Sequence, residues 1–307
     1  MEDRIVKDTD NLDLIMKHAS QIFDITSVIN NPQGKQQVIN YYMTNKITYR
    51  LLNSWEGFLH CGLSYDGKHK REDFKEQVKI VEGYIRDTKA KKVLELAYGL
   101  GPNSAFLARR NPLVTFEGID ISNPPLKQFT KIQNLRFQFG DYHDLSQFDD
   151  NVYDVVFIID ALCYSGDKLQ VLHEVKKKLR KDGLFIVIDF YLQDRGIPLS
   201  KSECIMWKLL EKSFSFDKFE CVTDVEDYMR EEYSIVVAKD VSECILPSLM
   251  KVEALVRIYF DYPRFARVIN KLLPFDITKG SLAASLLPIS IRRQIGCYFI
   301  HVLKNNN

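Results

Sequence analysis

The sequence predicts an α/β fold built on a doubly wound sheet, mostly parallel with an antiparallel last strand. Between residues 92 and 190, short apolar runs without in–out alternation are separated by helical stretches. Strands of this kind are buried on both faces, as in a parallel sheet covered by helices on each side. A run at 293–303, rich in aromatic and β-branched residues, predicts the last strand.

The first 75 residues predict a helical lid in front of the sheet. Apolar residues recur there at helical intervals, and one predicted helix carries an aromatic face formed by Tyr41, Tyr42 and Tyr49. The predicted helices of this segment lie within 1–30 and at 36–52 and 72–85. A turn at 53–57 and a loop at 58–64 separate the second helix from the third.

Residues 76–242 predict the core of the fold. Its strands are expected at 92–96, 115–119, 136–139, 154–159, 184–190 and 233–238. Its helical segments are expected at 103–110, 125–131, 168–180 and 200–214. The stretch 243–290 is helical and apolar and longer than a hairpin needs, so it predicts an inserted cap. Residues 291–307 then return as the last strand of the core.

The composition of the chain narrows the classes of partner and the cellular compartment that we expect for it. The net charge of +1 gives no electrostatic footprint for nucleic acid. The six cysteines and six histidines show no spacing typical of a disulfide framework or a metal site, so we expect neither, and a reducing compartment is favoured. No apolar run reaches the roughly 20 residues that span a bilayer, and no signal core is present. We therefore expect a soluble cytoplasmic protein without stable membrane insertion, and the sequence leaves a homodimer open.

The stretch 92–122 has the order strand, glycine turn, helix, strand. The first strand carries Glu95 and breaks at Gly99-Leu100-Gly101, and the second ends at Asp120. Glycines let the backbone approach a ligand closely, and an acid at the tip of the second strand can accept both ribose hydroxyls. The sequence therefore predicts a nucleoside site.

The ligand of this site is expected to be a cation rather than a diphosphate. A dinucleotide-binding turn prefers a third glycine where this chain has Ser104, and Glu95 fits poorly beside a pyrophosphate. S-adenosylmethionine carries an ammonium and a sulfonium and has no phosphate. A nicotinamide-dependent oxidoreductase is the alternative, which Ser104 and Glu95 disfavour.

The region 81–190 resembles the class I S-adenosylmethionine-dependent methyltransferases, whose core is Rossmann-like. The first motif of that family matches 95–101 with Ala97 in place of a glycine, and further motifs match Asp120, 140–142, 153–162 and 171–187. The resemblance implies that S-adenosylmethionine is bound by Glu95, Ala97, Gly99, Gly101, Asp120, Ile121, Asp141, Tyr142 and Asp160. It also leaves open a non-catalytic binding module that keeps the fold.

The aromatic front of the chain is similar to sterol and isoprenoid C-methyltransferases, in which such a segment covers the active site. The resemblance implies a small, hydrophobic or amphipathic methyl acceptor in an aromatic-walled pocket, because aromatic faces exclude water and stabilise cationic character. Candidate substrate-binding residues are Tyr41, Tyr42, Tyr49, Trp55 and Tyr164. If the acceptor must lose a proton, His60 and Glu56 are the candidate bases.

Overall fold

A computed structural model describes residues 12–32, 34–52, 54–121, 124–216 and 218–306, with the side chains of 46–52 outside the description. The predicted contribution of the Tyr49 side chain and the predictions for residues 1–11 therefore lie outside the described residues.

Seven strands form one mixed sheet in the described part of the chain. They are β1 (Lys92–Leu96), β2 (Thr115–Asp120), β3 (Leu135–Phe139), β4 (Tyr153–Ile159), β5 (Leu179–Leu192), β6 (Ser234–Asp240) and β7 (Gly296–Lys304). Their order is β3-β2-β1-β4-β5-β7-β6. The first five run parallel, and β7 is antiparallel to both β5 and β6. The predicted fold class is confirmed.

The helices of the described residues occur in three groups. Before the sheet lie α1 (Leu12–Ile22), α2 (Ile25–Ile29), α3 (Lys35–Leu52) and α4 (Glu76–Asp87). Beside the strands lie α5 (Pro102–Arg110), α6 (Lys168–Lys178), α7 (Lys201–Phe214) and α8 (Val222–Glu232). Between β6 and β7 lie α9 (Ser242–Asp261), α10 (Pro263–Leu272) and α11 (Phe275–Arg292).

Several elements differ from the expectations, and the helical segment expected at 125–131 is absent, because residues 127–131 form turns. The single helix expected within 1–30 is interrupted at Asp24, whose carboxylate accepts a hydrogen bond from the Ser27 amide and begins a new helix there. The helix expected to run to residue 180 ends at Lys178, because residues 179–192 form one long strand. Helix α8 was not anticipated, although it buries Val222, Val225 and Met229 in the core.

The sheet reverses its winding between β1 and β4, which places a crevice at the carboxyl ends of these strands. Both faces of the central strands are buried, as the unbroken burial of β4 illustrates. Helix α11 packs against α9, α7 and α3, so the segment inserted before β7 contacts the N-terminal helices above this crevice.

A buried lysine links the helices inserted before β7 to the N-terminal helices. The ammonium of Lys279 on α11 lies 2.7 Å from an Asp276 carboxylate oxygen and donates to the Ser215 hydroxyl at 2.8 Å. It also lies 5.3 Å from the centroid of the Tyr41 ring on α3. A buried charge needs such partners, and here they come from three separate parts of the chain.

Candidate active site

A cavity of about 100 Å³ opens at the carboxyl ends of β1, β2 and β4. Its wall includes nine of the residues that the sequence selected, namely Tyr42, His60, Ala97, Gly99, Asp120, Ile121, Tyr142, Asp160 and Tyr164. Residues from the N-terminal segment and from the sheet therefore meet around one space. We refer to it below as the first cavity.

The glycine turn after β1 is closely packed. Gly101 has a φ of +85° and is the N-cap of α5; a Cβ added there would lie 2.7 Å from the Phe137 ring. Gly99 has a φ of +57°, and a Cβ there would lie 2.9 Å from a Leu59 methyl group. Both positions therefore exclude larger side chains. Of the two, Gly99 lines the cavity.

Ala97 adopts a left-handed conformation at the start of this turn, with a φ of +55°. A residue with a Cβ is strained there, because the Cβ approaches the following carbonyl oxygen. The chain therefore stores strain at a position where the similar family has glycine.

The carboxylate of Asp120 closes the turn from the end of β2. One of its oxygens accepts a hydrogen bond of 2.8 Å from the Gly99 amide, and the residue is 6% exposed. This contact fixes the glycine turn against the second strand and places an acid in the wall of the first cavity.

Glu95 lies beneath the turn rather than in the cavity wall. Its carboxylate accepts hydrogen bonds from the Asn103 amide at 2.9 Å, the Ser104 amide at 3.1 Å and the Ser104 hydroxyl at 2.5 Å. Burial raises the pKa of Glu95 to about 7, and these hydrogen bonds oppose the rise. The group therefore titrates near neutral pH.

His60 continues this network into the N-terminal segment. Its Nε2 lies 3.1 Å from Asn103 Oδ1 and its Nδ1 lies 3.0 Å from the Cys61 carbonyl oxygen. Both ring nitrogens thus face oxygen atoms, which an imidazolium satisfies and a neutral ring does not. Burial lowers the pKa of His60 and favours the neutral ring.

Two proton arrangements satisfy every contact of this network. In one, His60 is charged and Glu95 is ionised. In the other, His60 is neutral, the Asn103 amide is reversed so that its nitrogen donates to Nε2, and a protonated Glu95 donates to the Asn103 oxygen. Charge at Glu95 and the protonation of His60 are therefore coupled through one amide.

Asp160 stands at the end of β4 with a φ of +50°. Its carboxylate accepts from the Tyr298 hydroxyl at 2.5 Å and from the Cys61 amide at 3.2 Å. Burial raises the pKa of Asp160 to about 8, with a further contribution from the nearby charge of Asp189. Strand β7, the N-terminal loop and β4 are thus joined at one carboxyl group in the wall of the cavity.

Asp141 is engaged elsewhere and does not line the cavity, whereas its neighbour Tyr142 does. The Lys35 ammonium lies 2.7 Å from Asp141 Oδ2, and His143 Nδ1 lies 2.7 Å from Oδ1. Burial would raise the pKa of Asp141, but hydrogen bonds from Lys35 and His143 outweigh it and lower the pKa to about 2. Tyr142 donates from its hydroxyl to the Ala161 carbonyl at 3.1 Å.

A second and larger cavity, of about 350 Å³, adjoins the first. Tyr42, Leu59, Asp160 and Tyr164 line both. The remaining wall is mainly apolar and comes from α3, from 214–219 and from α9 to α11. An aromatic row crosses it, with ring centroids 5.3 Å apart for Tyr42 and Tyr164, 4.2 Å for Tyr164 and Phe216, and 4.3 Å for Phe216 and Phe219.

Some predicted residues lie outside both cavities. Trp55 is 64% exposed, and Glu56 forms an ion pair of 3.2 Å with Lys75. Gly101 lies behind the turn, whereas Tyr41 is absent from the first cavity but lines the second. Sequence reasoning did not select Asn103 or the phenylalanines at 214, 216 and 219. The close spacing of these phenylalanines was a signal, but the turn that brings them together gives no periodic pattern.

The described residues contain neither a metal-binding cluster nor a membrane-spanning helix. No group of three histidine, cysteine or acidic side chains there could hold a metal ion. No helix in the same ranges has the length and apolar character to cross a bilayer.

Comparison with known proteins identifies the core. A family model described as a methyltransferase domain matches residues 87–241. Demethylmenaquinone methyltransferase from Thermotoga maritima is 29% identical over 118 residues, which are 38% of this chain and 51% of that protein. The chain thus spans about half the length of this curated relative.

Solved structures share the fold at low identity. The cyclopropane synthase MmaA2 from Mycobacterium tuberculosis superposes with a TM-score of 0.69 at 14% identity, covering 90% of this chain and 100% of the other. Geranyl diphosphate C-methyltransferase from Streptomyces coelicolor A3(2) gives a TM-score of 0.61 at 13% identity, covering 88% and 97%. These structural similarities show that the chain shares the fold of these proteins.

The strain at Ala97 predicts that Ala97→Gly stabilises the protein. Relief of the left-handed Cβ contact is worth about 1–2 kcal/mol, and the greater freedom of glycine in the unfolded chain offsets about 0.4–1 kcal/mol of it. Denaturant unfolding should therefore show a gain of about 0.5–1 kcal/mol. The matched control, Ala105→Gly inside α5, should lose about 1 kcal/mol. A destabilised Ala97→Gly would contradict the strain argument.

The burial of Glu95 predicts a pH dependence of stability in the ligand-free protein. Its pKa of about 7 in the folded state exceeds the ordinary value of 4.5, so the folded chain keeps a proton that the unfolded chain releases between these values. The protonated Glu95 side chain therefore contributes its full share of stability below pH 4.5, and this contribution is lost as the pH rises towards 7. Glu95→Gln should flatten this fall by up to about 1.4 kcal/mol per pH unit.

Urea unfolding between pH 5 and 8 measures this slope. The exposed Glu231→Gln on α8 is the control, and it should leave the slope unchanged. Equal slopes in Glu95→Gln and the wild type would show that Glu95 is ionised throughout.

Proposed function

The chain belongs to the methyltransferase domain family, and from this premise we propose that it transfers a methyl group from S-adenosylmethionine to a small hydrophobic or amphipathic molecule. One observation carries the proposal. A first cavity walled by carboxylates and a glycine turn adjoins a second cavity walled by aromatic and aliphatic side chains, and four residues line both.

The first cavity suits a cationic nucleoside. Asp120 and Asp160 line it, and no lysine or arginine is among its described lining residues. Pro102 occupies the first turn of α5 and lacks the N–H that a diphosphate would use at a helix N-terminus. We propose that Asp120 holds the ribose, with Ala97, Gly99, Ile121 and Tyr142 around the nucleoside.

In this proposal the other predicted cofactor residues do not contact the cofactor but support the residues that line the first cavity. Glu95 and Gly101 fix the glycine turn and the start of α5 through buried contacts. Asp141 positions the Tyr142 segment through its bonds with Lys35 and His143.

S-adenosylmethionine, when bound, supplies an electrophilic methyl group on a sulfonium. The rings of Tyr42 and Tyr164 lie where the two cavities meet, so they exclude water and present aromatic faces to cationic character. Alignment of acceptor and donor between these rings would supply much of the rate acceleration.

If the acceptor must lose a proton, we propose that Asp160 takes it. Asp160 lines both cavities, and its pKa of about 8 makes its ionised form, which a bound cation nearby would favour, a stronger base than an ordinary carboxylate. His60, the base that the sequence favoured, also lines the first cavity, but both of its ring nitrogens already contact Asn103 and Cys61. Glu56 is paired with Lys75 away from the cavities.

The second cavity supports an acceptor with an extended apolar body. We propose that residues 1–75 act as a lid and that residues 243–290 act as a cap over this body. Helix α3 contributes Tyr41 and Tyr42 to the wall, and α9 to α11 contribute aliphatic side chains. A few polar groups, among them Asn45, Thr278 and Ser281, could orient a polar end of the acceptor.

Calorimetric titration with S-adenosylmethionine tests the donor site. Asp120→Asn keeps an oxygen for the Gly99 amide but removes the charge, so affinity should fall about 10-fold or more, as for loss of a charged hydrogen bond. The exposed Asp87→Asn on α4 should bind as the wild type does. Absence of S-adenosylmethionine binding, or tighter binding of NADH, would refute the proposal.

Transfer of isotopically labelled methyl groups to lipid and metabolite extracts tests the acceptor site. Phe216→Ala removes the centre of the aromatic row, so KM for the labelled acceptor should rise about 10-fold, from the lost apolar contact. Affinity for S-adenosylmethionine should stay unchanged, because Phe216 lines only the second cavity. Donor binding without any transfer would favour the non-catalytic module.

A further inference from the structure

An unusually apolar surface lies on the outside of the segment between β6 and β7. Seven large apolar residues there are exposed, namely Ile258, Tyr262, Phe265, Val268, Leu272, Leu273 and Phe275. Leu272 alone is 74% exposed. We call this surface the cap face. Contiguous apolar surface of this kind marks an interaction site in a folded protein.

The cap face is built from helical stripes. Phe265, Val268 and Leu272 follow one another at intervals of three or four residues along α10, which places them on one side of that helix. Ile258 near the end of α9 and Tyr262 between the two helices are exposed as well. The turn into α11 continues the stripe with exposed Leu273 and Phe275. The opposite side of α10 is buried at Ala266.

Basic side chains accompany these stripes. Residues 250–275 contain five lysines or arginines against two acids, whereas the whole chain is nearly balanced at +1. Arg264, Arg267 and Lys271 are exposed on α10, and none of them forms an ion pair with another described residue. Apolar and basic residues together on one helix are typical of a segment that lies in the surface of an anionic membrane.

The second cavity borders the cap face. Leu273 of the cap face lines the cavity and is 43% exposed, and Leu255 on α9 also lines it and is 51% exposed. Ile269 and Ile277 are further apolar residues of the cavity wall. A docked cap face would therefore bring the wall of the cavity next to the bilayer.

A second copy of the chain fits this surface less well. A symmetric dimer through the cap face would place each basic cluster against its own equivalent, since a two-fold interface pairs a patch with itself. Like charges so placed disfavour association, whereas anionic headgroups would neutralise them.

We propose that the cap face docks peripherally on anionic phospholipid bilayers, with the apolar stripe in the headgroup region and Arg264, Arg267 and Lys271 at the lipid phosphates. This contact goes beyond methyl transfer and does not depend on it. Where the proposed function also holds, it gives the acceptor a route from the membrane to the second cavity.

Co-sedimentation of the full chain with phosphatidylcholine vesicles, with and without about one third phosphatidylglycerol, tests the proposal. The wild type should bind the anionic vesicles and dissociate at high salt. Phe265→Ser/Leu272→Ser should lower the partition coefficient about 10-fold or more, through lost apolar burial. Leu113→Ser, at a leucine that is 87% exposed before β2, should bind as the wild type does.

A charge series completes the test. Arg264→Gln/Arg267→Gln/Lys271→Gln should lower binding to anionic vesicles about 10-fold or more and remove its salt dependence. The control, Arg86→Gln/Lys89→Gln/Lys91→Gln, changes three exposed basic residues near the start of β1, at the end of the sheet opposite the cavities, and should have no effect.

Several outcomes would overturn the docking proposal. One is absence of wild-type binding to anionic vesicles; another is equal binding by the cap-face variants. Self-association that Phe265→Ser/Leu272→Ser abolishes, without vesicle binding, would assign the surface to a second copy. Loss of thermal stability in that variant without vesicle binding would assign the surface to packing within the chain. Titration of the same variants with S-adenosylmethionine separates these results from failure of the proposed function.

Discussion

The buried carboxylate of Glu95 is the contact on which the first cavity depends. It accepts three hydrogen bonds from Asn103 and Ser104, so it holds the first turn of α5 against β1 and fixes the span of the glycine turn. Through Asn103 the same network reaches His60 in the N-terminal segment. A group whose pKa lies near 7 thereby ties the conformation of the turn to proton binding, and a cationic ligand nearby would favour its ionised form.

Asp160 has a comparable position at the border of the two cavities. Its contacts with Tyr298 and the Cys61 amide join the last strand and the N-terminal loop to the end of β4. The site is therefore assembled from three distant parts of the chain and exists only when all three are folded. Its left-handed backbone and that of Ala97 place strain in the wall of the first cavity, where surrounding hydrogen bonds compensate for it.

The helices between β6 and β7 have apolar residues on both sides, for two different reasons. Inward-facing residues such as Val256 and Ile269 enlarge the second cavity, and outward-facing residues such as Phe265 and Leu272 form the cap face. A helix with only a structural role would place polar residues outside. We propose that the same insertion both holds an apolar acceptor and brings the protein to the membrane in which such a molecule dissolves.

Local sequence determined the strands of the sheet, the glycine turn and the acid at the end of β2. Each of these features depends only on neighbouring residues: an apolar run for a strand, two close glycines for the turn, and Asp120 at the end of β2. Only the tertiary structure decided that Asn103 links Glu95 to His60 and that Lys35 engages Asp141 from 106 residues away. It also decided that Phe216, packed against Phe214 and Phe219, meets Tyr164. These contacts depend on how helices pack across the crevice, and side-chain periodicity reports the buried face of an element but not its partner.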